Sequence, residues 1–297
     1  EGVGITLPGW FGLQNTGPGS TPIITNPAGY GVQLGSGSLF TGANITTTST
    51  AGLLCTGTGA TVEQVTITGA STGIDVDYAS GTFDFVDVSI VDANTRAMWV
   101  YDGDATVNFQ GSMDLTVPHQ SLLYVSSTTG GAVNLDGIFN SDGASTEVVF
   151  LSSNSAPVTV TGPLTITNPT GRGISLNNND ALTTFSDVTV STTGSDGIRA
   201  LNSPGGLSVL SGSVNTVDET GILINSTPFS GTFSSVFVNN SSGGGGGLYL
   251  FDSAPGIVDI GTLTVTTNGS NGGAHIVNAG TVRVTNPSSS IVANGVP

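Results

Sequence analysis

The sequence predicts an all-β chain wound as a right-handed parallel β-helix of about eleven coils, with three short strands per coil, and three observations carry that prediction. Eleven times a small residue or a turn leads into a four-residue run whose second and fourth positions are mostly apolar and whose third varies freely. The second positions of successive runs are separated by 21, 21, 24, 25, 26, 25, 24, 24, 26 and 26 residues, the period of a solenoid. Gly supplies 45 of the 297 residues and 37% are hydrophobic, too many for a disordered linker, so a core exists and is built from thin slices.

The runs, numbered here as coils 1 to 11, begin Gly31-Val32-Gln33-Leu34, Gly52-Leu53-Leu54-Cys55, Gly73-Ile74-Asp75-Val76 and Ala97-Met98-Trp99-Val100. Coils 5 to 8 carry Leu122-Leu123-Tyr124-Val125, Val148-Val149-Phe150-Leu151, Gly173-Ile174-Ser175-Leu176 and Gly197-Ile198-Arg199-Ala200. Coils 9 to 11 carry Gly221-Ile222-Leu223-Ile224, Gly247-Leu248-Tyr249-Leu250 and Gly273-Ala274-His275-Ile276. Alternation of inward apolar and outward variable residues has period two, so each run is a strand with one buried face. Gly and β-branched residues oppose helices.

A second and a third strand follow in each coil, as in Thr82-Phe83-Asp84-Phe85 and Asp87-Val88-Ser89-Ile90 of coil 3. Bends of two residues (Val86-Asp87) or three (Gln110-Gly111-Ser112) explain the uneven period, because a turn insertion leaves the stack intact. Parallel strands joined by crossovers are overwhelmingly right-handed, which sets the expected hand. At about 4.8 Å per rung, the coils make a rod on the order of 50 Å long.

The runs Gly173-Ile174-Ser175-Leu176-Asn177-Asn178-Asn179, Asp187-Val188-Thr189-Val190 and Gly221-Ile222-Leu223-Ile224-Asn225-Ser226 resemble the repeat units of large secreted bacterial right-handed β-helix proteins, such as autotransporter passengers and giant surface adhesins. The resemblance covers roughly residues 30 to 297. It implies the fold and an extracellular or cell-surface setting, whereas function does not follow from fold.

Residues 1–29, with Pro8, Trp10, Phe11, Pro18, Pro22 and Pro27, are expected to depart from the rhythm. There Trp10 and Phe11 either plug the open end of the stack or link it to a neighbouring subunit, and residues 30–297 form the β-helix proper. At the other end no helix or charged cap is expected after coil 11, so either the chain is a segment of a larger protein or copies of it meet end to end, a contact that builds filaments.

Asp and Glu number 20 against four basic residues, Arg96, Arg172, Arg199 and Arg283, with no lysine. A phosphate backbone needs clustered cations, so nucleic acid and anionic membranes are poor partners, while glycans and protein surfaces remain open. No apolar stretch approaches the roughly 20 residues of a membrane span. Cys55 stands alone at an inward position and can form no disulfide within the chain. The absence of lysine and the abundance of Ser, Thr, Asn and Gly point to an exported protein.

The free third position is where partners are read. Trp99, Tyr124 and Phe150 occupy it on consecutive coils and are expected to stack as an outward aromatic ladder, with Tyr249 further along the same column. Such a strip either stabilises the sheet by about 0.2–1 kcal/mol per pair or forms a binding or lateral-contact face for protein or the flat face of a sugar. The matching position of the third strand reads Asn44, Thr66, Ser89, Asp114, Phe139, Thr165, Thr189, Asn215, Phe237 and Thr264, a solvated polar face.

Coils 3 and 4 are rich in aspartate: Asp75, Asp77, Asp84, Asp87, Asp92, Asp102, Asp104 and Asp114, with Arg96 nearby and His119 in a later turn. A polysaccharide-active lyase or hydrolase could use two of those carboxylates, and Asp77, Asp102 and Asp104 could hold calcium. No other cofactor is implied. The sequence favours an extracellular structural or adhesive solenoid, as a filament subunit or adhesin segment, with the enzyme as the alternative.

Overall fold

The computed structural model describes residues 2–7, 12–14, 21–26, 28–46, 49–116, 119–241, 245–268 and 272–293, with side chains from residue 21 onward. Among them there is no helix, and parallel strands stack as a β-solenoid of about eleven turns. Two sheets run the length of the stack. The first has 12 strands, one from each of the eleven coils and one before them, including Thr72–Ala79, Arg96–Gly103, Ser121–Ser126 and Val149–Ser152. The second has 15 and contains the longer strands, among them Thr82–Val91, Thr106–Leu115 and Ala132–Asp142.

In most coils the second and third expected strands form one continuous bent strand. The bend is local: Gln64 and Asp87 adopt left-handed backbone angles, both with φ of 54°, while ladder pairing continues on either side. The two remain separate in coil 8, as Leu207–Val209 and Gly212–Val217, and in coil 11, as Thr281–Val284 and Ser290–Ala293.

Stacking begins before residue 30. Gly2–Leu7 pairs in parallel with Gly29–Leu34, placing Ile5 beside Val32 and Leu7 beside Leu34. Gly12–Gln14 and Ile23–Thr25 pair with the second-sheet strand of coil 1. Gly4-Ile5-Thr6-Leu7 is thus a further copy of the four-residue run, set apart in the sequence by the prolines that follow it. Trp10 and Phe11 lie outside the described residues.

The inward positions fill a continuous core. Phe40, Phe83, Phe85, Phe109, Phe139, Phe185, Phe229 and Phe233 are all fully buried. Phe109 sits between Phe85 and Phe139 at ring-centroid distances of 6.4 and 6.2 Å. Phe139 corrects an expectation: it pairs with Met113 and is 1% exposed, while Ile138 faces outward at 56%. Two adjacent apolar residues after the bend leave the phase of alternation ambiguous, and a one-residue slip exchanges the faces.

The small residue that opens most runs has a steric cause. A Cβ on Gly73 would lie 2.5 Å from the Ala97 carbonyl oxygen of the next coil and 2.6 Å from Ile90 Cγ2. Behind the first sheet, a buried polar ladder also ties successive coils. The Asn154 side chain accepts from Thr128 N and Thr128 Oγ1, Asn179 Oδ1 accepts from Asn154 N, and Ser203 Oγ accepts from Asn179 N. Each bond satisfies a backbone or side-chain group that would otherwise be buried without a partner. His119 belongs to the interior as well, with Nε2 2.8 Å from Ser141 Oγ.

The left-handed residue at the end of the first-sheet strand or just after it repeats too. Tyr78, Asp102, Ser127, Ser153, Asn178, Asn202, Ser226, Asp252 and Asn278 occupy this position on nine consecutive coils, each with φ between 46° and 58°. Asn, Asp and Ser suit that conformation because their short polar side chains bond locally. Tyr78 is the one bulky residue among them.

Candidate functional site

The outer face of the first sheet gathers most of the unusual chemistry. Strand register sets Asp75, Trp99, Tyr124, Phe150, Ser175, Arg199, Leu223, Tyr249 and His275 in one column, one rung apart. The Trp99–Tyr124 rings are 6.1 Å apart and edge-on, and the Tyr124–Phe150 rings 4.8 Å apart and tilted. All three are half-buried, because each covers the next. The expected ladder therefore exists in the expected register.

It is wider than the sequence indicated. Tyr101, two residues along from Trp99 and on the same face, lies 5.8 Å from it. Tyr78 packs edge-on against Tyr101 at 5.9 Å and is 69% exposed. A bulky side chain in the left-handed region costs on the order of 1–2 kcal/mol, and here the strained residue extends an aromatic surface. Five rings form one contiguous platform over coils 3 to 6.

Arg96 completes this platform from one residue ahead of the run. Its guanidinium carbon stands 4.6 Å from both the Trp99 and Tyr124 ring centroids. That stacking is worth about 0.5–2 kcal/mol depending on desolvation, and burial lowers the Arg96 pKa while Tyr124 and Asp75 oppose the shift. Asp75, in the rung before Trp99, has its pKa raised to about 6, first by burial and then by the Asp77 charge, with Arg96 pulling the other way.

Three buried polar atoms in this patch have no hydrogen-bond partner: Asp75 Oδ1, Arg96 Nε and Trp99 Nε1. An orphaned buried group costs about 1–3 kcal/mol, and all three lie beside one aromatic platform. The set contains both an acceptor and two donors.

A cleft follows on the same side of the solenoid. It measures about 560 Å³, spans coils 6 to 10 and is lined by Glu147, Arg172, Asp196, Arg199, Glu219 and Tyr249, among others. Arg172 bridges Glu147 at 2.7 Å and Asp196 at 3.3 Å, joining three consecutive coils. Arg199 forms no ion pair among the described residues, and its Nε is buried without a partner. Glu219 has its pKa raised by burial and by Asp196, against the Thr220 backbone amide and Arg172.

The aspartates of coils 3 and 4 disperse. Asp75, Asp77 and Asp102 lie on first-sheet strands, while Asp84, Asp87 and Asp114 belong to the second sheet, where Asp84 accepts from Asn108 at 2.8 Å. Asp92 accepts from the Thr116 amide and hydroxyl. Of the three aspartates weighed for calcium, Asp77 has its pKa raised by burial and then by Asp102, Tyr78 hydrogen-bonds to Asp102, and Asp104 is exposed. Among the described residues no three His, Cys, Asp or Glu side chains gather where they could hold a metal ion. Tyr249 lies four rungs from Phe150 and packs instead with His275 and Phe251, the latter 6.0 Å away.

Arg96, Tyr78, Tyr101 and the Glu147–Arg172–Asp196 chain are absent from the sequence-based set of binding residues. Arg96, Glu147, Arg172 and Asp196 share the position just before the run, and comparing that column across coils would have shown opposite charges on successive rungs. No protein-family model matches the chain, and neither a curated protein nor a solved structure matches it significantly.

Proposed function

We propose that this chain is an extracellular adhesive β-solenoid that binds a glycan on the outer face of its first sheet. The observation that carries this is the juxtaposition of the Trp99–Tyr124–Phe150 ladder, widened by Tyr78 and Tyr101, with the orphaned Asp75 Oδ1, Arg96 Nε and Trp99 Nε1. A pyranose ring stacks its C–H face on an aromatic surface and offers hydroxyls that both donate and accept, so one ligand class answers both features. A purely stabilising ladder would account for the ring contacts and leave the orphaned atoms and the strained Tyr78 without cause. The lysine-free, Ser/Thr/Asn/Gly-rich composition supports an extracellular setting.

The test is titration of the chain with neutral β-linked oligosaccharides such as cellohexaose, followed by calorimetry. Binding that falls at least about tenfold in Trp99→Ala, with an unchanged circular dichroism spectrum, supports the proposal. Binding that is untouched by Trp99→Ala refutes it.

A further inference from the structure

We infer that the cleft over coils 6 to 10 is a second subsite on the same face, which takes a carboxylate-bearing sugar of a linear glycan running along the stack. This rests on the glycan-binding platform proposed above. Three of the four cations of a chain with net charge −16 lie on this side, and the fourth, Arg283, is engaged with Asp259 on the second sheet.

The charges inside the cleft are unequally used. Arg172 serves Glu147 and Asp196, whereas Arg199 serves no carboxylate and keeps a buried Nε unbonded. Its column neighbours are Ser175 and Leu223, neither of which can take its charge. A carboxylate is the group that answers a free guanidinium most strongly, through charge-assisted and often bidentate hydrogen bonds. Glu219 is the cleft carboxylate outside the Arg172 bridges, the opposing charge that an anionic ligand meets there.

The spacing supports one continuous ligand. Arg199 lies two rungs from Phe150, about 10 Å, and Tyr249 two rungs beyond. A rung matches closely the advance per sugar of an extended β-linked chain. Sugars stacked on coils 4 to 6 therefore lead the same chain past Arg199 and onto Tyr249, which borders the cleft.

The test compares cellohexaose with the β-1,4-linked hexaglucuronide, which has the same backbone with a carboxylate on every sugar. Wild type binds the hexaglucuronide about 10–100-fold more tightly. Arg199→Gln removes that margin, Arg199→Lys retains part of it, and Glu219→Gln widens it. Equal wild-type affinities, or a margin that survives Arg199→Gln, overturns the subsite while the platform stands. Weaker hexaglucuronide binding in Glu219→Gln also overturns it, because the cleft would then favour cations. Failure of wild type to bind either hexasaccharide overturns the platform and the subsite together.

Discussion

The outer faces of the two sheets are built on the same rungs and treat their polar groups in opposite ways. On the second sheet, Asn134 donates to Asn108 at 2.9 Å, Asn108 donates to Asp84 at 2.8 Å, Ser89 meets Ser112 at 3.1 Å, and Thr161 donates to Asp136 at 3.1 Å. Those side chains complete one another from coil to coil. On the first sheet, Asp75, Arg96, Trp99 and Arg199 each keep a buried polar atom unbonded, and a tyrosine occupies a strained turn. A repeat can satisfy its outer polar groups internally. Where it does not, the difference supports the proposed ligand face.

The largest expected effect abolishes the comparison by attacking the core that both faces share. Phe109→Ala is expected to cost about 3–5 kcal/mol, the usual penalty for emptying a buried Phe site, because the ring lies between Phe85 and Phe139. Chemical denaturation monitored by circular dichroism measures it, and a loss below about 1 kcal/mol would contradict the described packing.

Asp75 gives the next effect, and its sign is set by the raised pKa. An acid whose folded pKa of about 6 exceeds its ordinary 3.8 holds its proton better in the folded state, so it lowers stability as pH rises from about 4 through about 6. The gap corresponds to on the order of 2–3 kcal/mol once both states are ionised. Asp75→Asn is therefore expected to be more stable than wild type at pH 7 and to lose the dependence between pH 4 and 6. A variant less stable than wild type at pH 7 would show that the Asp75 charge is compensated.

Smaller changes separate the faces. Asn108→Ala is expected to cost about 1–2 kcal/mol, because it breaks the Asp84–Asn108–Asn134 chain, and to leave glycan affinity unchanged. Tyr78→Asn is expected to stabilise by up to about 1 kcal/mol, since Asn accepts the left-handed conformation seen on eight other coils, and to weaken glycan binding. Thermal denaturation paired with calorimetric titration reads both variants. If Tyr78→Asn were to strengthen binding, the platform would end at Tyr101.

Much of this was legible in the sequence, because a period-two strand inside a fixed repeat assigns a face to every position. Val32, Ile74 and Leu248 are inward, and Trp99, Tyr124 and Phe150 stack outward in register. That logic failed where alternation lost its phase, at Ile138-Phe139, and where prolines concealed a further run, at Gly4-Ile5-Thr6-Leu7. It was silent on Arg96, which precedes the alternating run and reaches its place between two rings through a long flexible side chain. The unsatisfied atoms were beyond reach for another reason: whether a donor finds a partner depends on distances between coils. Asp75 and Asp84 look alike in the chain, yet one is orphaned on the first sheet and the other is bonded on the second.

The most direct measurement is calorimetric titration of cellohexaose into two variants side by side, Trp99→Ala on the first sheet and Asn108→Ala on the second. The first is expected to lose affinity at least about tenfold and some stability as well, because it removes two ring contacts and the Arg96 stack. The second is expected to keep affinity and lose stability. Unchanged affinity in Trp99→Ala, or an equal loss in both, would contradict the assignment of the ligand face to the first sheet.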